Sequence, residues 1–590
     1  MNAHVAAITA VAVVAAATLV AGSLGLRRAR TTGDFYVAAR AVSPRWNAAA
    51  IGGEYLSAAS YLGIAGLILA FGFDVLWYPV CYTAGYLVLL AVVAAPLRRS
   101  GAYTLPDFAQ IRLGSTVVRR LASGLVVLIG WLYLVPQLQG ASLTLRTQTG
   151  APGWAGGLVV CGVVLVAVVI GGMRSITFAQ ALQFWLKFVA LLVPALVLVG
   201  VWHHRADRLE DGYPTTPERV TVTMSGSTSV HVPVTETLLV HGRVDGTSHA
   251  GPVRLTAGRH VLGDGARVTL RRGDAVPVVT SLPDRRNRSW LRPLGSGNDH
   301  PLYASLSLIL AICLGTMGLP HVLVRFYTNP DGRDARRTTL GVLGLLSCFY
   351  LVPTVFGVLG RHYVPELLLT GDTDATVLTL PGRMLGGSAG VALGALVTAG
   401  AFAAFLSTAS GLTVSVAGVL SQDVLKPRDP RPRDDSRAAR IRRFRIAAVL
   451  GIAVPYLLSL PSERLGLAAV VGLAFAVAAS TFCPLLVLGI WWPRLTVPGA
   501  LAGLAVGGLS ATAAVIYTMI TDPVGGWIGG LLAQPAAWTV PLAFAAMAAV
   551  SLATPHRVPP DAGRILLRLH APESLAAELR ELAGPAPRRS

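Results

Sequence analysis

The stretch "GGEYLSAASYLGIAG", Gly52–Gly66, lies inside an apolar run that is long enough to cross a lipid bilayer, yet it contains a carboxylate, Glu54. It also begins with two glycines, each of which lowers helix propensity by about 1 kcal/mol relative to alanine. If the helix breaks near this pair, the carbonyls of Gly53 and Leu56 become free to bind a cation, and Ser57 adds a hydroxyl. The alternative is that glycine and serine only let two helices pack closely.

The composition of the whole chain is that of a membrane protein. Of its 590 residues, 53% are hydrophobic and only 13% are charged, whereas a soluble domain has about a quarter charged residues. Repeated apolar runs predict an all-α polytopic membrane protein, since lipid leaves every backbone polar group to be satisfied within its own helix. The formal net charge of +20 does not indicate a nucleic-acid partner, because the arginines lie mainly between apolar runs.

The apolar runs predict about 13 transmembrane spans with a lipid bilayer as their environment. They are numbered in chain order: 5–26, 45–71, 75–97, 121–145, 155–172, 177–201, 303–327, 339–360, 389–420, 446–461, 465–491, 497–519 and 535–554. The short loops after the odd-numbered spans are rich in arginine, and the loops on the other side are not. The positive-inside rule therefore predicts a plasma (inner) membrane protein with its N-terminus outside and its C-terminus in the cytoplasm.

Two hydrophilic segments interrupt this pattern. Residues 203–300 contain alternating stretches such as "ARVTLRRGDAVPVVT" with Gly, Asp and Pro between them, which predicts a small β-rich extracytoplasmic insertion, with a disordered loop as the alternative. Residues 556–590 form a cytoplasmic tail with one amphipathic stretch, which predicts a surface helix. The insertion could bind a partner or the cell envelope, and its residues do not distinguish between these two possibilities.

Span 9 carries a cluster of hydroxyl groups in "AGAFAAFLSTASGLTVSVAG". Ala404, Ser407 and Thr408 are three and four residues apart, so they share one face of the helix. Carbonyl and hydroxyl oxygens without a carboxylate cluster suit a monovalent cation rather than calcium. The alternative is that the hydroxyls bond back to their own helix.

Span 6 carries a polar stripe of Gln180, Gln183 and Lys187 on an otherwise apolar helix. Lysine is rare in this chain, which has only one other, Lys426, beside its many arginines. A lysine in the middle of a span must pair, reach the surface or lose its proton, and arginine cannot deprotonate. Lys187 is therefore a candidate for a proton or charge-compensating role.

The sequence contains no HExxH motif, no P-loop and no histidine–carboxylate metal set, so we expect a transporter and not an enzyme. The residues collected above resemble the sodium/solute symporter family, and most closely its cation/acetate (monocarboxylate) branch. The resemblance is carried in order by "GEYLSAASYLGIAG", "GGMRSITFAQALQFWLK", "GLPHVLVRFYTNPDGRDARR", "FAAFLSTASGLTVSVAGVLSQDV" and "GLAFAVAASTFCPLLVLGIWW". Only the insertion and the tail lie outside it.

The resemblance implies a LeuT-like core of two inverted five-helix repeats, spans 2–6 and 7–11. The domains would then be an extra N-terminal transmembrane helix (1–30), the first repeat (44–202), the insertion (203–300), the second repeat (301–492), two C-terminal transmembrane helices (493–555) and the tail (556–590). It also implies a sodium site between spans 2 and 9, with Na⁺ as the coupling ion and no organic cofactor. Carried over by position, the sodium ligands are Gly53, Leu56, Ala404, Ser407 and Thr408, with Ser57 nearby.

The resemblance also has departures. Relatives that transport proline have an aspartate where this chain has Tyr55, and relatives that transport sugars have an acid at the position of Gln180, which puts a second sodium in doubt. Glu54 is expected either to face water at the cytoplasmic exit or to pair with Lys187. Gly315 and Gly318, followed by Pro320, supply a weak point in span 7 that matches the one in span 2.

Taken together, the sequence predicts sodium-coupled symport of a small monocarboxylate such as acetate, propionate or pyruvate by alternating access. Three alternatives remain at this point: a proton-coupled monocarboxylate symporter, a sodium-coupled amino-acid or sugar symporter, and a transporter-like sensor. In the proton-coupled alternative, Lys187 is the coupling residue.

Overall fold

The computed structural model describes residues 2–26, 42–205, 209–292, 300–425, 437–460, 466–521 and 525–571. The helices are numbered here in chain order. Those before the insertion are α1 Ala3–Leu26, α2 Pro44–Tyr55, α3 Ile64–Phe71, α4 Trp77–Val92, α5 Ala94–Arg99, α6 Leu105–Leu113, α7 Thr116–Thr149 and α8 Ala155–Arg205.

The helices from the end of the insertion onward complete the set. They are α9 Asn287–Trp290, α10 Pro301–Thr316, α11 Pro320–Phe326, α12 Gly332–Tyr363, α13 Leu367–Thr370, α14 Thr376–Leu385, α15 Gly387–Val419, α16 Arg437–Ser459, α17 Leu467–Trp491, α18 Val497–Ile520, α19 Gly526–Ala533, α20 Ala536–Ala553 and α21 Ala562–His570. Two π-helical turns, Ala59–Gly63 and Leu420–Val424, precede α3 and follow α15.

Within the described residues, ten helical stretches are long and apolar enough to cross a membrane, and Ala155–Val169 is a shorter apolar one. The predicted count of 13 therefore stays a prediction. Spans 2 and 3 enter this set as one continuous stretch, Ala59–Val92. The helix at span 10, α16, begins with several arginines, which lower its hydropathy.

Span 2 is interrupted in its middle. Helix α2 ends at Tyr55, and Leu56 leaves the helical region with φ −73° and ψ 86°. The glycine pair itself stays helical. Gly53 lets α8 approach closely, because a Cβ there would overlap the backbone carbonyl of Gln180. Gln137 of α7 compensates for the interruption by accepting a hydrogen bond from the N–H of Ala58 at 2.8 Å.

Span 7 has a matching interruption. Helix α10 ends at Thr316 and α11 begins at Pro320, which supplies no N–H and suits the first position of a helix. A Cβ on Gly315 or on Gly318 would lie 2.5 Å from a backbone carbonyl of α17. These two glycines therefore let the broken helix approach α17 closely.

The insertion forms a seven-stranded antiparallel sheet. The strands are β1 Val220–Thr223, β2 Thr228–Val232, β3 Glu236–Val244, β4 Thr247–Leu255, β5 Gly258–Leu262, β6 Arg267–Leu270 and β7 Val278–Val279. Their order is β1-β6-β3-β5-β2-β7, with β4 paired to β3. Val230, Val240 and Leu270 are fully buried in its core, as the alternating pattern requires. The side of the membrane on which the sheet lies stays a prediction.

The end of the insertion is attached to the end of α3. Trp290 is fully buried, and its indole N–H donates to the carbonyls of Ile68 at 2.7 Å and Leu69 at 3.1 Å. Arg285 donates to the carbonyl of Phe71 at 2.8 Å. A helix leaves its last four carbonyls without partners, and here residues of the insertion supply donors for three of them.

The described part of the tail contains α21, which packs beside α5. Arg99 donates to the carbonyls of Leu569 at 3.4 Å and His570 at 3.2 Å. The remainder of the predicted amphipathic stretch, residues 572–584, and the end of the tail lie outside the described residues, as do residues 27–41 after the first span.

We expect Trp290→Ala to detach the insertion from α3, because it removes a buried aromatic side chain at a cost of about 3–5 kcal/mol. Trypsin should then cleave faster at the arginines of 285–292 in the purified protein, measured as the rate of appearance of the two fragments. Trp154→Ala is the control, since Trp154 is 53% exposed. Equal cleavage rates in the two variants would contradict this anchoring role.

Candidate cation and substrate site

The interruption of α2 lies against α15, and their contacts form a group of oxygen atoms that we call the cradle: Gly53 O, Leu56 O, Ala404 O, Ser407 Oγ and Thr408 Oγ1. Ser407 Oγ lies 2.6 Å from the carbonyl oxygen of Gly53 and 3.0 Å from that of Ala404, and its hydroxyl donates to one of the two. Thr408 donates to the carbonyl of Glu54 at 2.7 Å. The residues expected to bind a cation are thus neighbours in space, and Ser57 is buried at the interruption beside them.

Lys187 extends from α8 into this cradle. Its ammonium nitrogen lies 2.5 Å from Gly53 O, 2.7 Å from Leu56 O and 2.9 Å from Ser407 Oγ. The side chain is fully buried, so it does not reach the membrane surface. Of the roles considered for this lysine, the structure therefore supports pairing with oxygen atoms inside the protein.

A sodium ion does not fit these oxygens together with Lys187. The Lys187 nitrogen already lies within hydrogen-bond distance of three of the expected ligands, so it occupies the space in which an ion would contact them. The donor set suits a monovalent cation, but the group that contacts it in this structure is the side chain of Lys187.

Glu54 is buried, and neither expectation for it holds: it does not face water, and its hydrogen-bonded ion pair is with Arg325 of α11 rather than with Lys187. Arg325 Nε donates to Glu54 Oε2 at 2.6 Å, and the same guanidinium donates to Thr177 Oγ1 at 2.6 Å and to Gln180 Oε1. Gln180 in turn donates to the carbonyl of Ser407 at 2.7 Å. A buried ion pair needs such additional hydrogen bonds to offset its desolvation.

Gly411 of α15 provides the space for this ion pair. A Cβ at Gly411 would overlap the carboxylate of Glu54 and would lie 2.9 Å from Gln180 Nε2. The glycine in "LSTASGLTV" is therefore required by the size of the Glu54 side chain on the facing helix.

The polar stripe of span 6 divides between two neighbours. Gln180 and Lys187 contact α2, α11 and α15, whereas Gln183 Nε2 donates to Thr18 Oγ1 of α1 at 2.9 Å. Gln183 thus lies outside the cradle. Residues three apart on a helix differ by about 60° in direction, so opposite edges of one stripe can face different helices.

A second group of residues, which we call the aromatic cluster, lies between the two helix interruptions: Tyr55, Tyr82, Tyr86, Tyr133, His321, Tyr350 and Phe475. Their rings contact one another at centroid distances between 4.9 Å and 6.1 Å. Tyr55 OH bridges the carbonyl of Tyr82 at 3.2 Å and Thr316 Oγ1 at 3.1 Å, which links span 2 to the interruption of span 7.

Several polar atoms of the aromatic cluster are buried without a hydrogen-bond partner among the described residues. They are the hydroxyls of Tyr82 and Tyr86 and both ring nitrogens of His321. An unsatisfied buried polar group costs about 1–3 kcal/mol, so a site of this kind favours a ligand that supplies the missing partners.

Sequence reasoning did not identify Arg325, His321, Gly411 or the tyrosines of α4. A signal existed for two of these groups. Arg325 interrupts an apolar run, which requires a buried acid as its partner. The tyrosines at 78, 82 and 86 recur every four residues and therefore share one helix face.

Comparison with known proteins agrees with the family that the sequence resembles. The family model described as "Sodium:solute symporter family" matches residues 35–270 and 287–507. The chain is 28% identical over 536 residues to the "Uncharacterized symporter YwcA" of Bacillus subtilis (strain 168), covering 89% of this chain and 90% of that protein. It is 28% identical over 526 residues to the "Monocarboxylic acid transporter" of Corynebacterium glutamicum, covering 87% of this chain and 85% of that one.

Among solved structures, a Na⁺-coupled sialic acid symporter in a substrate-bound outward-open state superposes with a TM-score of 0.59. The match covers 92% of this chain and 98% of that chain at 12% sequence identity, so it shows a shared fold and nothing about the ligand.

We expect Gly411→Ala to destabilise the protein, because the added methyl group forces the Glu54 carboxylate away from Arg325 at a cost of about 1–3 kcal/mol. The melting temperature of the purified protein should fall. Gly394→Ala in the same helix is the matched control, since a Cβ there meets nothing within 4 Å. A larger fall for Gly394→Ala than for Gly411→Ala would contradict the packing argument.

We also expect Glu54→Gln and Arg325→Gln to destabilise the protein strongly as single variants, by about 3–5 kcal/mol each, because each leaves an unpaired buried charge. The double variant should lose less than the sum of the two single losses, which a double-mutant cycle of melting temperatures measures. Additive losses would mean that the two groups do not interact.

Proposed function

We propose that this chain, which belongs to the sodium:solute symporter family, carries a small monocarboxylate into the cell by cation-coupled alternating access. Family and fold point to a transporter. The monocarboxylate is favoured by one relative, named a monocarboxylic acid transporter, and by the aromatic cluster. We place the protein in the plasma membrane with its N-terminus outside, from the distribution of arginines.

The observation that carries the choice of substrate is the chemistry of the aromatic cluster. The hydroxyls of Tyr82 and Tyr86 and the ring of His321 can donate hydrogen bonds, and a carboxylate accepts several at once. The surrounding rings, including Tyr350 and Phe475, suit a short apolar tail. Each of these residues is buried, so the cluster fits a small substrate better than a large one.

The charged groups nearby do not favour the alternative substrates. An amino acid needs an anionic partner for its ammonium group, but the carboxylate of Glu54 is already paired with Arg325. A sugar needs many matched polar partners, whereas the aromatic cluster offers few. A sensor that signals through a partner is a further alternative, and no described contact favours it over transport.

The chain's own residues supply the two parts that alternating access requires. The interruptions of span 2 and span 7 are the places where the outer and inner halves of these helices can move separately. A cleft lies between α6, α7, α11 and α15, lined among others by Thr104, Val126, Pro320, Ser415 and Val419. Because Pro320 precedes His321, we propose this cleft as the route from the aromatic cluster to the cytoplasm.

The site of the coupling ion is inferred from the geometry of the cradle. Membership of the family and the Na⁺-coupled neighbour favour sodium. Lys187 contacts three of the oxygens expected to bind it, those of Gly53, Leu56 and Ser407. Ala404 and Thr408 complete the expected set. We therefore propose this set as the site where cation coupling acts.

We further propose the inverted repeats as residues 44–202 and 301–492, flanked by 1–30, 493–555 and the tail 556–590.

The test is counterflow of radiolabelled acetate or pyruvate into proteoliposomes preloaded with the unlabelled acid, with protein-free liposomes as the blank. Unlabelled propionate should compete, whereas proline and glucose should not. Counterflow of proline or glucose without counterflow of any monocarboxylate would overturn the proposed substrate.

We expect Tyr82→Phe and Tyr86→Phe each to raise the KM for the monocarboxylate roughly 10–100-fold, which corresponds to a lost hydrogen bond to a charged group of about 1.5–3 kcal/mol. The initial rate of uptake at several substrate concentrations measures it. Tyr517→Phe is the matched control, since Tyr517 lies on α18 and is 36% exposed. Unchanged KM values in both variants would place the substrate elsewhere.

A further inference from the structure

We propose that helix α21 is a binding surface for the headgroups of anionic phospholipids, formed by Arg564, Leu567 and Arg568. This inference goes beyond the proposed function, because it concerns the contact of the chain with the bilayer and does not depend on the transported substrate. It starts from the two faces of a short amphipathic helix that packs beside α5.

The two faces of α21 differ in burial. On one face Ala562 and Leu569 are buried, and Leu569 belongs to the hydrophobic core of the protein. Arg564, Leu567 and Arg568 are three and four positions apart, so they share the other face. All three are exposed, and the exposed fraction of Leu567 is 61%. An exposed leucine between two arginines suits the boundary between acyl chains and headgroups.

The end of α21 lies at the depth where two transmembrane helices end. Helix α4 ends at Val92 and α17 ends at Trp491, whose indole N–H donates to the carbonyl of Val92 at 3.1 Å. The ring of Trp491 is exposed and contacts the ring of His570, with the two centroids 4.7 Å apart. Tryptophan is enriched at membrane–water interfaces, so α21 lies beside the headgroups rather than in bulk water.

Contacts with α5 and the loop after it fix the position of α21. Arg99 donates to the last carbonyls of the helix, those of Leu569 and His570. The guanidinium of Arg568 lies against the backbone at Gly101, where an added Cβ would be 2.5 Å from Arg568 Nη2. The exposed face is therefore ordered before a lipid binds, which lowers the entropy cost of binding.

The charge of this segment is complementary to an anionic headgroup. Between Thr554 and Ala571 the sequence contains three arginines and one acid, Asp561. Within the described part of the chain, none of these three arginines forms an ion pair with an acidic side chain. A guanidinium group matches the geometry of a phosphate and binds it with two parallel hydrogen bonds.

The depth of the helix decides between a lipid and a soluble acidic protein as the occupant. The distribution of arginines predicts that this end of the protein faces the cytoplasm, where the leaflet carries anionic lipids. An acidic protein would have to displace the headgroups that already lie at this depth, and it would leave Leu567 without an acyl chain to contact. We therefore assign the surface to an anionic phospholipid.

The test is the melting temperature of the purified full-length protein in detergent with increasing phosphatidylglycerol or phosphatidylcholine. The wild type should show a saturating rise with phosphatidylglycerol and none with phosphatidylcholine. Arg564→Gln combined with Arg568→Gln should weaken the apparent affinity about 30-fold, because each arginine near an anionic surface contributes a factor of about five. Both side chains are exposed, so this variant should melt with the wild type in phosphatidylcholine.

The matched control is Arg442→Gln combined with Arg445→Gln, which removes the same charge from the same predicted side of the membrane. Both arginines are exposed at the start of α16, whose main neighbours are α7 and α15 rather than α21. This variant should keep the wild-type affinity for phosphatidylglycerol. Equal weakening by the two pairs would show unspecific attraction between the protein and anionic lipid and would overturn the proposal.

A further comparison separates a lipid from a soluble anion. Glycerol phosphate, the headgroup without acyl chains, should not raise the melting temperature at the same concentration, and Leu567→Ser should weaken the affinity for phosphatidylglycerol. An equal rise with glycerol phosphate would identify an anion site instead of a lipid surface. Absence of a rise with phosphatidylglycerol in the wild type would also overturn the proposal, whether the tail or another protein covers this face. None of these measurements involves transport, so their outcome is independent of the proposed function.

Discussion

The architecture of this protein depends on how the two carbonyls freed by the interruption of α2 are satisfied. In lipid no water is present to bind them, so a break in a transmembrane helix persists only where other groups supply hydrogen bonds. Here Lys187 of α8 donates to the carbonyls of Gly53 and Leu56, and Gln137 of α7 accepts from the N–H of Ala58. The broken helix is therefore stable only while α7 and α8 pack on either side of it, which fixes the arrangement of the neighbouring helices.

The same region concentrates charge that a membrane interior disfavours. Glu54, Arg325 and Lys187 are all buried, and each of them can carry a charge. Glu54 and Arg325 neutralise each other, so one positive charge remains within the cluster when Lys187 is protonated. The proposed carboxylate substrate would balance that charge.

Local patterns predicted the features that depend on local chemistry. The interruptions of spans 2 and 7, the shared face of Ala404, Ser407 and Thr408, and the polar side of α8 all follow from residue types at helical spacing. The partner of Glu54 could not be found in this way. Arg325 lies 271 residues further along the chain, in a stretch whose arginines otherwise read as topology signals. Only the packing of α2, α8 and α11 decides that Glu54 meets Arg325 while Lys187 meets carbonyl oxygens.

The attachment of the insertion to α3 has a mechanical consequence. A half-helix whose terminal carbonyls face water can tilt with little resistance, but the carbonyls of Ile68, Leu69 and Phe71 are bound by Trp290 and Arg285. Arg361 of α12 also donates hydrogen bonds to the carbonyls of Leu69 and Arg285, so a third element, α12, stabilises this attachment. Helix α3 and the insertion that carries the seven-stranded sheet are therefore joined at this point, so a molecule bound to the sheet would also restrict movement of α3.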